Sequence, residues 1–302
     1  MRTKKLYDLI RTDSAKAVLD EVLLIVKRIF PQIDIARITH PFITTIGLYE
    51  GIYPGYQACN TEFHDLRHSV ESFLAMARLI HGATINDNDL TPDQITLGLT
   101  AAIMHDAGYI QDDRDREGTG AKHTDTHVQR SMDFLTHYGT EQGLSEQAIA
   151  AGCAMILGTD LSVDLDTIDF PSAEFKFLGK MLGAADLLAQ MADRTYLEKL
   201  LFLYREFSEA KIGGYRSEVD LLKKTVAFYD FIAHRLETSL DASDRFMISH
   251  FADRWDIPVN LYQEAIERQK NDLSQILKKS SDPRKYLRRN LTVNRIDSKF
   301  QK

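Results

Sequence analysis

Cysteine is nearly absent from this sequence: Cys59 and Cys153 are the only two in 302 residues, far apart and in apolar surroundings. That excludes a disulfide framework and any CxxC metal site, and it suits a reducing compartment. No apolar run approaches the ~18–20 residues of a membrane span. None follows the basic start Met1–Asp8 either, so no secretory signal is expected. An excess of positive charge is missing too, with 37 Lys and Arg against 44 Asp and Glu and a net of −7. A general nucleic-acid binder needs the opposite field, so that class is set aside. Period-two alternation, Asn-Gly or Asp-Gly hairpin signals and fixed repeats are absent as well, which argues against a sheet or a solenoid. With 44% apolar and 27% charged residues, the chain has the composition of a folded globular protein with a sizeable core. The expectation is a cytoplasmic protein with no membrane span.

What is present is helical periodicity. Val18, Val22, Ile25, Val26 and Ile29 mark one stripe over 14–30, and Pro31 stops it. Thr91, Pro92, Asp93 and Gln94 form a helix start, followed by apolar residues to Met104 and a stop near Gly108. Further helices are expected at about 62–80, 123–138, 145–157, 172–192, 194–210, 216–238, 242–254 and 258–278. Residues 40–62, with Pro41, Gly47, Gly51, Pro54 and Gly55, read as an irregular connection, and 107–122 as a polar loop. The fold class is all-α, a multi-helix bundle. Residues 1–40 give an N-terminal helix packed on the core, 41–277 the main domain and 278–302 a basic C-terminal tail. That tail is either solvated or a contact for an acidic partner.

Three segments carry chemistry. In Phe63-His64-Asp65-Leu66-Arg67-His68, a helix would place His64 and His68 on one face, away from Val70, Phe73, Leu74 and Ala77. His105-Asp106 closes the very apolar helix 95–104, where an unpaired buried charge would be costly. Asp186 sits among Phe175, Leu178, Leu182, Ala185 and Ala189, an uncommon place for a carboxylate without a cationic partner. Each alone is more often structural. Together they supply the imidazole and carboxylate mixture that Zn, Mn or Fe prefers.

These segments resemble the HD-domain metal phosphohydrolases, and within them the cyclic-nucleotide phosphodiesterase-like branch. The likeness runs from about Tyr56 to Leu236 in ordered blocks. Residues 63–68 are similar to the family's Y-H-N-x-x-H, and Ala102–Asp106 to its H-D block. Met155–Ser162 resembles L-A-T-D-M-S, Ala185-Asp186-Leu187 the A-D-L block, and Val226–Ile232 V-G-F-I-D-F-I. The resemblance implies an HD/PDEase-like bundle holding two divalent ions (Zn, Mn, Mg or Fe). His68, His105, Asp106 and Asp186 would bind the first ion, and Asp106 would bridge to the second. His127 would serve at that second ion, with His123 as the alternative. His64 would be the general acid, and Asp65 or a neighbouring acid could orient it. Thr159 and Asp160 would support the site. Phe228 would clamp the substrate, and Thr225 stands where the family has a purine-reading glutamine. His105-Asp106-Ala107-Gly108-Tyr109 lacks the second histidine of the phosphodiesterase H-D-x-x-H.

The chemistry so implied is hydrolysis of a small-molecule phosphodiester or nucleotide by a metal-activated hydroxide, with His64 protonating the departing oxygen. An HD-type di-iron oxygenase and a non-catalytic helical module with a vestigial site are the alternatives. A homo-oligomer is left open. The other histidines (His40, His81, His137, His234, His250) read as surface or locally bonded, and the turn Lys211–Tyr215 as an ordinary connection or a lid hinge.

Overall fold

Helix caps set most of the architecture. Ser14, Asp65, Thr91, Ser145, Ser172, Ser217 and Asn260 each accept a backbone N–H in the first turn that follows them. Each such cap contributes about 1 kcal/mol. In the computed structural model, which describes residues 4–287 and Asp297, the helices follow these signals. They are α1 (Ala15–Ile29), α2 (Ala36–Tyr49), α3 (Leu66–Ile85), α4 (Pro92–Met104), α5 (His127–Glu141) and α6 (Glu146–Leu157). They continue as α7 (Ala173–Ala192), α8 (Tyr196–Glu209), α9 (Glu218–Glu237), α10 (Phe246–Trp255) and α11 (Leu261–Lys279). Among the described residues there is no strand, so the chain is an all-α bundle. None of the described helices is long and apolar enough to cross a membrane.

The centre of the bundle is α3, buried on every side from Leu66 to Ala83 and packed against α1, α4, α7 and α10. This explains why its amphipathic stripe is weak: it has no solvent face. Helix α7 crosses it and is itself almost wholly buried from Leu178 to Ala192. The two innermost helices therefore bring the site's His68 and Asp186 together.

Two of the expected elements are bounded differently in this part of the chain. Residues 36–49 form α2, although Pro41 lies inside it. Pro removes a helix hydrogen bond at a cost of ~3 kcal/mol. Ile38, Phe42, Ile46 and Tyr49 are buried at helical spacing, and at ~1.5–3 kcal/mol each they outweigh that cost. The helix expected from 62 begins only at Leu66, because Asp65 caps it. His64 therefore precedes α3 and does not share a helical face with His68.

The start of the basic tail keeps Lys278, Lys279, Arg284 and Lys285 exposed, as a solvated segment would, while its apolar residues anchor it to the bundle. Leu287 is buried, and Arg284 pairs with Glu218 of α9 at 3.1 Å. The remaining basic positions expected there, 288–296 and 298–302, lie outside the described residues. His81 and His250 are not on the surface. They meet across α3 and α10, Nδ1 to Nδ1 at 3.1 Å, and burial lowers the pKa of both.

Candidate metal centre

The side chains of the centre come from three helix ends and one helix middle. The Asp65 carboxylate accepts the His68 backbone N–H at 3.0 Å, fixing His68 in the first turn of α3. Lys199 of α8 reaches both Asp65 (3.3 Å) and Asp193 (3.4 Å), tying that turn to the end of α7. His105 caps the C-terminus of α4, and its Nδ1–H donates to the Ala102 carbonyl at 2.9 Å. That bond turns Nε2 towards the centre, as the outer partner of a metal-bound histidine does. Asp106 follows at the entry to a short turn, Ala107–Tyr109, and Asp186 projects from the middle of α7.

Their ligand atoms converge. His68 Nε2 lies 3.3 Å from His105 Nε2, 3.4 Å from Asp106 Oδ2 and 3.0 Å from Asp186 Oδ1. His105 Nε2 lies 3.4 Å from Asp106 Oδ2 and 3.5 Å from Asp186 Oδ1. Ligands ~2.1 Å from one ion sit about 3.0 Å apart at a right angle and about 3.4 Å apart at a tetrahedral one. The donor set fits an ion in spacing and in chemistry, and the buried His68–His105–Asp106 group could hold one. Without an ion, protons take its place. Burial opposes charge on His105, yet Asp106 and Asp186 raise its pKa to about 9. The same imidazoles hold Asp186 far below the usual carboxylate range, against the effect of burial.

Asp106 also faces a second direction. His127 opens α5, and its Nδ1–H donates to the Thr124 carbonyl at 2.6 Å. Burial lowers its pKa more than Asp106 raises it, so the ring is neutral and Nε2 bears a lone pair. That lone pair confronts Asp106 Oδ1 at 3.8 Å, beyond hydrogen-bond reach. Two electron-rich atoms held face to face in a buried setting suit a cation between them. Asp106 Oδ2, on the other side, has no hydrogen-bond donor.

This alignment depends on Gly108. A Cβ there would fall 2.0 Å from the His127 carbonyl oxygen, and Arg130 and Ser131 of α5 already grip the Gly108 backbone at 2.7 and 2.9 Å. Gly108→Ala is expected to push α5 away, lowering stability by at least about 3 kcal/mol. Thermal unfolding reads that loss, and a variant as stable as the parent would refute the close approach.

His64 stands beside the cluster, its ring 6.4 Å from that of His68. Its Nδ1 is 2.7 Å from Glu206 Oε2, and Glu206 Oε1 accepts the Glu62 and Phe63 backbone N–H groups at 2.8 and 2.7 Å. Tyr109 stacks on His64, with ring centres 4.2 Å apart and planes 10° from parallel, and also contacts the His127 ring. Burial works against a charge on His64, but Glu206 more than offsets it, helped by Asp106 and Asp186, and the pKa is raised. Glu206, rather than Asp65, is the acid that orients His64.

A cavity of about 560 Å³ opens over the cluster. His64, His68, Asp106, His127 and Asp186 line it, together with Thr159, Asp160, Thr225 and Phe228. His123 does not: its Nε2 is bound to Asp115 Oδ2 at 2.9 Å in a short helical turn that ends before α5 begins. His123 and His127 therefore do not share a helix face. The sequence gives no sign of Glu206 as a partner of His64, and it marks Tyr109 only as the residue in place of a second histidine, not as a ring stacked on His64. Glu206 continues the buried stripe of Phe202 on α8, and a carboxylate on such a stripe is the signal that marks it.

The profile of the Npun_R2479-like family matches residues 54–245. A search of curated proteins found no match. The matched span contains every residue of the cluster and of the cavity above it. The chain belongs to the Npun_R2479-like family.

Proposed function

We propose that this chain is an HD-type, metal-dependent phosphohydrolase acting on a small phosphate ester, with His64 as general acid. What supports this reading most is the divided carboxylate of Asp106, one oxygen towards His68 and His105 and the other towards His127. That is the disposition of a ligand shared between two cations. His68, His105, Asp186 and Asp106 Oδ2 would hold one ion, and His127 with Asp106 Oδ1 the other. Bound divalent ions neutralise phosphoryl oxygens and acidify a water, so no side-chain nucleophile is required.

The chain's own residues supply the rest. Asp106 and Asp186 bring two negative charges to a buried site, matching cations that bind an anionic ester. Glu206 keeps Nδ1 of His64 protonated, which leaves Nε2 to carry the transferable proton. In the reaction, the oxygen of water bonds to phosphorus, the P–O bond to the alcohol breaks, and His64 gives its proton to that departing oxygen. The proton released from water restores the imidazolium over the cycle. Tyr109 holds the His64 ring flat against it and limits the directions in which that proton can be delivered.

The test is elemental analysis and iron-sensitive spectroscopy on anaerobically purified protein, followed by turnover of bis(p-nitrophenyl) phosphate. About two ions per chain and metal-dependent release of p-nitrophenol are expected. A coupled di-iron signal with oxygen uptake and no ester hydrolysis would overturn the reading in favour of oxygenase chemistry.

A further inference from the structure

The cavity extends well past the cluster, between α7, α8 and α9 and beneath the turn that joins the last two. Its outer walls are Leu203, Phe207, Ile212, Tyr215, Leu221 and Phe228. Hydroxyl groups do line the space, those of Tyr196 and Tyr215 among them, but the four carried by threonine and serine donate to the protein itself. Thr225 donates to the Leu221 carbonyl at 2.9 Å, Thr159 to Ile156 at 2.8 Å and Thr124 to Ala121 at 2.6 Å. Ser162 donates to Asp160 at 2.7 Å. Lys224 is the single Lys or Arg among the described lining residues, and it is held by the Gly214 carbonyl, by Asp220 at 3.2 Å and over the Tyr215 ring.

The other end holds an uncommitted amide. The Gln190 amide has no hydrogen-bond partner among the described residues. It lies one turn beyond Asp186 on α7, and it also borders the small space beside Phe63 and His68. The free amide thus stands at the metal end, while the apolar walls stand at the other.

We infer that the substrate of this site is an aryl or long-alkyl phosphate ester and not a nucleotide. This rests on the phosphohydrolase reading above. A ribose and a base would carry donors and acceptors into the outer cavity, where the threonine and serine donors are already spent. Groups left unpaired in a dry wall cost affinity, whereas a flat apolar body gains from the same surface. Thr225 is central to the distinction: its short side chain is turned back on its own helix and offers no paired donor and acceptor to a base edge.

The probes are 2-naphthylmethylphosphonate, methylphosphonate and AMP, measured by calorimetry and thermal shift on metal-loaded protein, separately from turnover. The naphthyl compound is expected to bind at least about tenfold more tightly than AMP. Phe207→Asn and Ile212→Asn are each expected to erase that preference while leaving methylphosphonate binding within about twofold. Two variants on different elements guard against a single misfolded one. AMP binding as tightly as the naphthyl compound, or a preference unmoved in both folded variants, overturns the inference and leaves ester hydrolysis standing. Selective naphthyl binding with no ester turned over supports the apolar site and sinks the hydrolase reading instead.

Discussion

Asp106→Ala is expected to empty both metal positions and to lower turnover at least about 10³-fold, since the stabilisation lost is worth several kcal/mol. No other residue of the cluster faces both His127 and the His68–His105 pair, so no second carboxylate takes over its bridging place. The metal-free protein adds a proton to this account. Asp106 and Asp186 hold the His105 pKa at about 9, although burial opposes it. An ion binding at Nε2 must displace that proton. Metal affinity should therefore rise about tenfold per pH unit up to about pH 9 and level off above it. The raised pKa also stabilises the metal-free fold. That contribution is fully present below the unfolded value of ~6.5 and is lost as pH rises through the folded value. Titration of the parent and of Asp106→Ala with Zn²⁺ or Mn²⁺ at pH 6.5, 7.5 and 8.5 tests both expectations. Stoichiometric metal in Asp106→Ala, or an affinity in the parent that ignores pH, would contradict the assignment.

The helices were legible because their ends are written locally. Thr91 with Gln94, Ser172 and Ser217 announce starts within a few residues of the structure's own. Helix α2 was not legible, because Pro41 is a local signal and the burial that overrides it is a tertiary one. His105, Asp106 and Asp186 stand out for one physical reason: each is a polar group in an apolar stretch, where charge needs a partner. His68 stands out by its spacing from His64, although the shared helix face that this spacing implies is not formed. His123 falls in the helix expected over 123–138, four residues before His127, but the chain between them turns as a separate short helix and Asp115 takes the imidazole. Glu206 lies 142 residues from His64, and nothing in either neighbourhood names the other. Partnerships made only by packing α8 over the entry to α3 leave no pattern along the chain.

That partnership sets the last expectation. His64→Asn should retain metal yet slow an alkyl phosphate ester by ~10²–10⁴-fold, with a much smaller loss for a p-nitrophenyl ester whose oxygen departs without a proton. Equal losses on both esters would remove the acid role. Glu206→Gln is the finer probe, because it keeps an oxygen for the Glu62 and Phe63 N–H groups and removes only the charge. Once cations offset Asp106 and Asp186, Glu206 is the anion left to raise the pKa of His64. A protonated acid acts below its folded pKa and is lost as pH rises through it, so the high-pH limb of kcat should move to lower pH in Glu206→Gln. At acid pH, where His64 stays protonated in both proteins, the variant should approach the parent. A Glu206 that only braced the loop before α3 would lower kcat alike at every pH and leave the limb where it was. The shift of that limb therefore separates tuning of the proton from support of the fold.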